Sequence, residues 1–346
     1  MTAQPLVSIV ILSQNGLDDT RHCVASVLGQ TYPFPVEVII IDNGSERDET
    51  QELVRQFGDR VVMICNASNV GVAAGFNQGV RATSGKYVVL LNNDTEVTHG
   101  WLLPLVELME RQPDVAACQP KIRSMHAPEM FDYSGACGGF LDRYGYPFLR
   151  GRIMDTCERD TGQYDQPMEI HWTSGACMMI RKNVWQDIAG ADEAFFAYME
   201  EVDACWRMRR RGYRVMVVPQ SVILHKGAVT WRRKLPLKRY YEHRNNLLML
   251  FKNLEGDQLW TVLPVRIYLE LLSLAHYLVT GQWRFAISLL TAWGSVLRLL
   301  PRSLRMRTVE SHVVYLRGPC ISYEYFLRGR KTFARLPGIR TAQKRV

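Results

Sequence analysis

Three carboxylates fall within four positions at Glu200, Glu201 and Asp203, directly after the aromatic run Phe195-Phe196-Ala197-Tyr198. An apolar wall disfavours the charged form of a carboxylate and raises its pKa, which suits a general base working near neutral pH. A plainer reading stands beside this one. Acids in a helix's first turn complement the helix dipole, and Asp203 and Arg207 are spaced i,i+4 as an ion pair. The local pattern balances the two. His225, followed by Lys226, closes an apolar stretch. A single histidine is more often structural than a ligand, but placed beside Asp94 it would make a nitrogen–oxygen site suited to a divalent ion.

Two acidic turns follow apolar runs: Asp42-Asn43-Gly44-Ser45 and Asn92-Asn93-Asp94. At the carboxyl end of a parallel strand such a carboxylate faces the ligand crevice and can take a ribose hydroxyl or a base N–H. Asp, Asn and Gly also simply end strands, and for Asp42 alone that would be the better account. Asn69-Val70-Gly71, with Gly75 and Gly79 beyond, offers a loop and helix start with little side-chain bulk, where backbone and nucleotide can approach closely. No GxGxxG follows the first apolar run, which argues against a nicotinamide oxidoreductase.

Positioning such groups takes strands that end along a common edge. Residues 7–12, 36–41, 61–65, 87–91 and 115–119 are apolar runs of strand length. Between them, 48–57, 73–83 and 101–111 carry helical patterns, as does the segment opened by Asp18 and Asp19 with Val24, Val27 and Leu28 on one face. The alternation predicts an α/β fold, a doubly wound, mostly parallel sheet covered on both faces. Residues 120–170 are glycine-rich and polar and read as short strands plus a mobile loop that closes over a ligand. A strand at 176–181 follows, then a helix at 200–211 with Val202, Cys205 and Trp206 inward, strands at 213–218 and 221–224, and helix from Leu237 onward.

The eight cysteines include no CxxC pair, so neither structural zinc nor a disulfide framework is expected. The start lacks the pattern of a signal peptide, which places the chain in the cytoplasm. Net charge is +8 but uneven. Residues 226–252 hold eight Lys/Arg against Glu242, and 298–346 hold twelve against Glu310 and Glu324, so these stretches carry +17 and the remainder −9. The asymmetry implies an anionic partner such as phospholipid or a pyrophosphate. No zinc spacing or RNA-binding motif accompanies the basic stretches, so nucleic acid is not expected. Leu271–Trp283 and Phe285–Leu297 are each thirteen residues without Lys, Arg, Asp or Glu, whereas a spanning helix needs about twenty apolar residues. Carrying Tyr277, Trp283, Phe285 and Trp293 and flanked by Arg284 and Arg298, they are expected to fold back at Gly281-Gln282. The hairpin would lie on the anionic inner face of the cytoplasmic membrane as a peripheral anchor, or else cap the core.

Taken in order, VSIVILSQNG, IIIDNGS, NVGVAAGFNQG, YVVLLNNDTEV, TSGACMMIR, FFAYMEEVDACWRMRRRGY and HKG resemble family-2 inverting glycosyltransferases, notably the rhamnosyltransferase-like branch. The likeness runs over roughly residues 6–250. It implies a catalytic GT-A domain over 1–253 and a helical, basic C-terminal extension over 254–346. The donor would be a nucleoside-diphosphate sugar, with Mg²⁺ or Mn²⁺ as the divalent metal. By the same resemblance, Ser13 and Asn15 line the nucleotide pocket, Asp42 holds base or ribose, and Asn69 and Gly71 border the nucleotide. Asn92-Asn93-Asp94 stands at the family's DxD, so Asn93 would lie by the donor and Asp94 on the metal, joined by His225. With one carboxylate where the family has two, metal binding would be weak and nucleotide-dependent. Thr173, Ser174 and Gly175 would lie near donor sugar and acceptor. Glu200-Glu201 replaces the family's Glu-Asp, which makes Glu201 the implied base and leaves Glu200 and Asp203 as alternatives. The branch implies dTDP-rhamnose as donor and a lipid-linked or polysaccharide acceptor in cell-wall or lipopolysaccharide synthesis. A polyprenyl-phosphate sugar synthase of the same fold would differ only in acceptor. A sugar-nucleotide nucleotidyltransferase would carry a lysine in the loop after its first strand, where Ser13-Gln14-Asn15-Gly16 has none.

Overall fold

The computed structural model describes residues 7–46, 49–227, 235–307, 316 and 318–338. The first half alternates strand and helix: β1 (Val7–Ser13), α1 (Leu17–Leu28), β2 (Val36–Asp42), α2 (Glu49–Phe57), β3 (Val62–Cys65), α3 (Val72–Ala82) and β4 (Tyr87–Asn92). These strands are parallel, β1 lying between β2 and β4 and β2 between β1 and β3. Their apolar runs are continuous because alternate side chains enter two different cores. Val10, Ile39, Ile41, Val88 and Leu90 pack on one face, and Val7, Ile9, Ile11, Ile40 and Val89 on the other.

After β5 (Thr95–Val97) and α4 (Leu102–Arg111) come β6 (Val115–Ser124), the short strands β7 (Gly139–Leu141), β8 (Pro147–Leu149), β9 (Arg152–Ile153), β10 (Thr156–Cys157) and β11 (Met168–Glu169), then β12 (Cys177–Arg181). α5 (Lys182–Asp187), α6 (Glu200–Arg210) and β13 (Arg214–His225) follow. The main sheet has nine strands in the order β11-β13-β6-β12-β4-β1-β2-β3, with β5 on the end of β13. β12 runs antiparallel to both neighbours, so the sheet is mixed but mostly parallel, as expected.

Two expectations need correction. The strands read at 213–218 and 221–224 are one, β13, whose register with β6 shifts between Val218 and Val222. Pro219 has no N–H for the ladder, so the strand bulges there without ending. The glycine-rich stretch read as short strands plus a mobile loop holds the short strands, but they and the turns between them pack into a second sheet where a mobile loop was expected. β7 to β10 form a four-stranded antiparallel sheet, with Phe131, Leu149, Ile153 and Tyr164 buried in the core. Phe333 from the C-terminal segment packs against Phe140, Phe148 and Tyr164.

Three long helices follow, α7 (Leu235–Asn253), α8 (Gly256–Val279) and α9 (Trp283–Arg305), with the break between the last two at Gly281-Gln282 and α9 packed chiefly along α7. Among the described residues one helix, α8, is long and apolar enough to cross a membrane by length and composition, which corrects the expectation that none would be. Counting uncharged residues stopped short at Glu270. In the fold Glu270 and Arg266 are buried and pair at 3.0 Å, and His243 of α7 meets Glu270 at 2.7 Å. Both charges are thus turned inward on α7, and the outer face of α8 stays apolar. Trp260 is 83% exposed and Val279 88%; on α9, Ile287 is 62% and Leu297 72% exposed.

Candidate functional site

Parallel register brings Ser13 level with Asp42 and Leu12 level with Asn92, so β1, β2 and β4 end along one edge. There the sequence-derived residues take different parts. Ser13 Oγ lies 2.7 Å from Thr20 Oγ1, and Asn93 Nδ2 donates to the same hydroxyl at 3.0 Å. Both brace the floor of the crevice. Asn15 sits at φ 51°, donates its N–H to Ser45 Oγ and accepts the Glu46 N–H on Oδ1, clipping the first loop to the second. Asp42 Oδ1 accepts the Ser45 N–H and Oδ2 the Thr50 hydroxyl, each at 2.9 Å. Those bonds are turn chemistry, yet each carboxylate oxygen keeps a lone pair for a ligand.

Asn69 and Gly71 come together as one loop. Asn69 Oδ1 accepts from Gly71 N at 2.8 Å and from Asn43 Nδ2 at 3.0 Å, while its own amide donates to Gln14 at 2.7 Å. Asn43 Oδ1 accepts in turn from the Val70 N–H. Asn43 lay inside a quoted motif, but its reach across 26 residues was not legible there. Gly71 has φ +89°, and a Cβ on it would come within 2.7 Å of the Phe196 ring and carbonyl. Only glycine fits.

At the far end of β13, pairing with β5 carries His225 to Asp94. His225 Nε2 lies 3.1 Å from Asp94 Oδ1, and its Nδ1 lies 3.1 Å from Asp132 Oδ1. Burial works against the imidazolium, but Asp94 and Asp132 outweigh it and lift the His225 pKa to about 10. Asp132 is not among the residues singled out from the sequence; it lies in the glycine-rich stretch 120–170, ahead of β7. A ligating histidine is commonly held from behind by a carboxylate in this way. Among the described residues no group of three or more His, Cys, Asp or Glu is arranged to hold a metal ion by itself. The imidazole and the partly exposed Asp94 carboxylate fit a divalent ion only if phosphate oxygens and water complete the shell and the ring gives up its proton.

The acids of α6 divide. Asp203 is fully buried, with its oxygens taken by Lys252, Arg207 and Asn253. Burial pushes its carboxyl up, but the Lys252 and Arg207 charges prevail and hold it below the ordinary value. Asp203 is therefore an anchor for the helix, and its placement speaks against the alternative that made it a base. Glu200 Oε2 and Glu201 Oε2 are instead buried without a hydrogen-bond partner among the described residues. Burial raises both carboxyls, Glu200 further through the charge of Glu201, and Glu201 is lifted to about 7. The Glu201 carboxylate faces Gly175, on which a Cβ would sit 3.9 Å away. Beside Gly175, Thr173 is buried against Cys205, and Ser174 is bonded through its N–H to Gln119 and through its hydroxyl to Ser134 O. These two side chains fix the segment, and Gly175 puts no side chain between it and the acid.

A catalytic crevice of this kind has counterparts among known proteins. The chain is 29% identical over 238 residues to the O-antigen biosynthesis protein RfbC of Myxococcus xanthus, covering 66% of this chain and 18% of that protein. It is 24% identical over 246 residues to the N-acetylglucosaminyl-diphospho-decaprenol L-rhamnosyltransferase of Mycobacterium tuberculosis, covering 67% and 79%. Among solved structures it resembles the mannosyltransferase PcManGT of Pyrobaculum calidifontis in complex with GDP-Man and Mn²⁺. That match has a TM-score of 0.52 and 15% identity, over 86% of this chain and 88% of that one. It also resembles GalNAc-T7 with UDP, GalNAc and Mn²⁺, with a TM-score of 0.54 and 18% identity, over 64% and 43%. These likenesses establish the GT-A fold. The family model for glycosyl transferase family 2 matches residues 8–189, more than half of the chain, and the protein belongs to that family of glycosyltransferases.

Proposed function

We propose that the protein moves a sugar, in the first instance rhamnose from dTDP-rhamnose, onto a hydroxyl of a lipid-linked glycan acceptor in cell-surface glycan synthesis, with inversion at the anomeric carbon. The observation that carries the reading is the pair of buried, unpartnered carboxylate oxygens of Glu200 and Glu201, the latter facing Gly175, which carries no side chain. An acceptor hydroxyl there would meet a base with its pKa near the working pH. The rhamnosyl donor and lipid-linked acceptor draw support from the M. tuberculosis relative named above.

In this reading the acceptor oxygen bonds to the anomeric carbon as the bond from that carbon to the diphosphate oxygen breaks, and the hydroxyl proton passes to Glu201. The loop of Asn69 to Gly71 and the β1 and β2 turns hold the nucleotide. Asp94 and His225 would hold Mg²⁺ or Mn²⁺, which when bound offsets negative charge on the departing diphosphate. Asp132 keeps the imidazole turned toward that position.

The apolar outer faces of α8 and α9 would rest on an anionic membrane surface. Their exposed Trp260, Trp283, Ile287 and Leu297, together with the +17 carried by the two basic stretches, complement such a surface. The charges turned inward at Arg266 and Glu270 fit a hairpin lying on the membrane better than a helix crossing it.

The test is Glu201→Gln assayed against a panel of nucleoside-diphosphate sugars. Donor binding is expected to survive while transfer falls by about a hundredfold, as for loss of a general base. Wild-type transfer in the variant would remove Glu201 from this role.

A further inference from the structure

We infer that Arg244 and Asn245 of α7, distant in sequence from every residue assigned above, are positioning residues that hold the turn from which Glu200 and Glu201 are aimed. The inference rests on the reading of Glu201 as the base.

The turn before α6 is unusual in its backbone. Phe196, Tyr198 and Met199 all have positive φ, 63°, 69° and 69°, a conformation that residues with a Cβ rarely adopt. Strain of this sort persists only where the surroundings over-determine it, and it gathers at functional sites. Here the surroundings are two side chains. Asn245 Nδ2 lies 2.9 Å from Phe195 O, 2.8 Å from Ala197 O and 2.8 Å from Tyr198 O. Three carbonyls of the strained segment thus converge on one amide group. Arg244 donates from Nη2 to Ala194 O at 2.8 Å and to Phe195 O at 2.9 Å. It also donates from Nε to Asn245 Oδ1 at 2.8 Å, which turns the amide so that its N–H groups face the turn. Both side chains are buried, so no water competes for these bonds.

The same turn abuts the donor loop. Phe196 O accepts the Val72 N–H at 2.5 Å, and the Phe196 ring stacks on Tyr241 of α7 at 5.4 Å. Anchored on that side as well, the turn has one free consequence: the direction in which Met199 launches α6. Releasing the amide lets the three left-handed residues relax, and the Glu201 carboxylate moves with the first turn of the helix.

Asn245→Ala and Arg244→Gln test this in the full chain. Each is expected to lower kcat by about a hundredfold, the scale of an ångström of misplacement, with donor KM within about threefold of wild type. Amide hydrogen exchange should quicken across 196–203 but not in β1 to β4. Combined with Glu201→Gln, Asn245→Ala should cost nothing more, because an absent base cannot be misaimed. A variant that folds and keeps wild-type kcat overturns the inference, as does a full additional loss on the Glu201→Gln background. Should Asn245→Ala fail to fold, Arg244→Gln, which leaves the amide in place, carries the same comparison. If Glu201→Gln keeps turnover while both α7 variants lose it, the base is another acid and the reading of Glu201 fails separately.

Discussion

Replacing Lys252 by methionine probes how the rear of the site is held. The ammonium is 1% exposed and lies 2.6 Å from Asp192 Oδ2 and 3.0 Å from Asp203 Oδ2, both carboxylates being fully buried. Removing one partner of a buried pair costs about 3–5 kcal/mol, because the other charge stays buried without compensation. Here the low end applies. Asp203 would keep Arg207 at 2.8 Å, and Asp192 would keep Arg302 at 2.7 Å. A loss of about 3 kcal/mol in a chain of this size lowers the melting temperature by about 4 °C. The pH dependence gives a second check. Burial raises both aspartates, but the Lys252 charge prevails and holds them below their ordinary 3.8. Groups with depressed pKa contribute stability that is present above the unfolded value and lost as pH falls through the folded one. Without Lys252 their folded pKa values rise, so the variant's deficit should be full at neutral pH and shrink on acidification. Thermal melts of both proteins between pH 4 and 7 read this directly. A shift below about 2 °C at pH 7, or a deficit that grows toward acid, would refute the reasoning.

Three further outcomes are expected. Asp94→Ala should weaken donor binding by calorimetry when Mn²⁺ is present and leave it unchanged in EDTA; wild-type turnover undiminished by EDTA would make Asp94 a strand-end residue only. Gly71→Ala forces a Cβ to within 2.7 Å of Phe196 at φ +89°, so nucleotide affinity should fall by about five- to thirtyfold for a strain of roughly 1–2 kcal/mol; equal affinity would mean the loop adjusts freely. The full chain should float with anionic liposomes at low salt, and Trp283→Ser, Ile287→Ser and Leu297→Ser together should reduce flotation without lowering the melting temperature; binding unchanged by all three would turn attention away from the α9 face.

The parallel half of the sheet was readable because both of its signals are local: apolar runs of strand length, and helices with one apolar face between them. The GT-A assignment came from motif order over a longer stretch, roughly residues 6–250. What stayed hidden depends on long-range pairing. Asp132 became part of the His225 site only because β6 and β13 are neighbours and the chain doubles back along β6, bridging Phe131 to Arg123 and giving the Asp132 N–H to Ile122 O. α8 reads as two short pieces if charged residues are taken to end an apolar face, but Arg266 and Glu270 neutralise each other against α7. In each case a partner far along the chain decides the role of a polar residue.

The first turn of α6 makes that point most directly. Glu200, Glu201 and Asp203 share a helix end, a chemistry and a dipole, and spacing alone cannot rank them. Their fates separate because α7 supplies Lys252 and Asn253 to Asp203 and no cation to the other two. An acid given three donors becomes structure, with its pKa driven down and its lone pairs spent. An acid buried without a cation, its only donors backbone N–H groups, has its pKa driven up and an oxygen left over, which is the condition for taking a proton from a hydroxyl. The helix at the rear therefore does two things with one surface. It removes Asp203 from chemistry, and by the same contacts it fixes α6 so that Glu201 faces Gly175. Asp203→Asn, which leaves Lys252 paired with Asp192 alone, should cost stability first and transfer only through it.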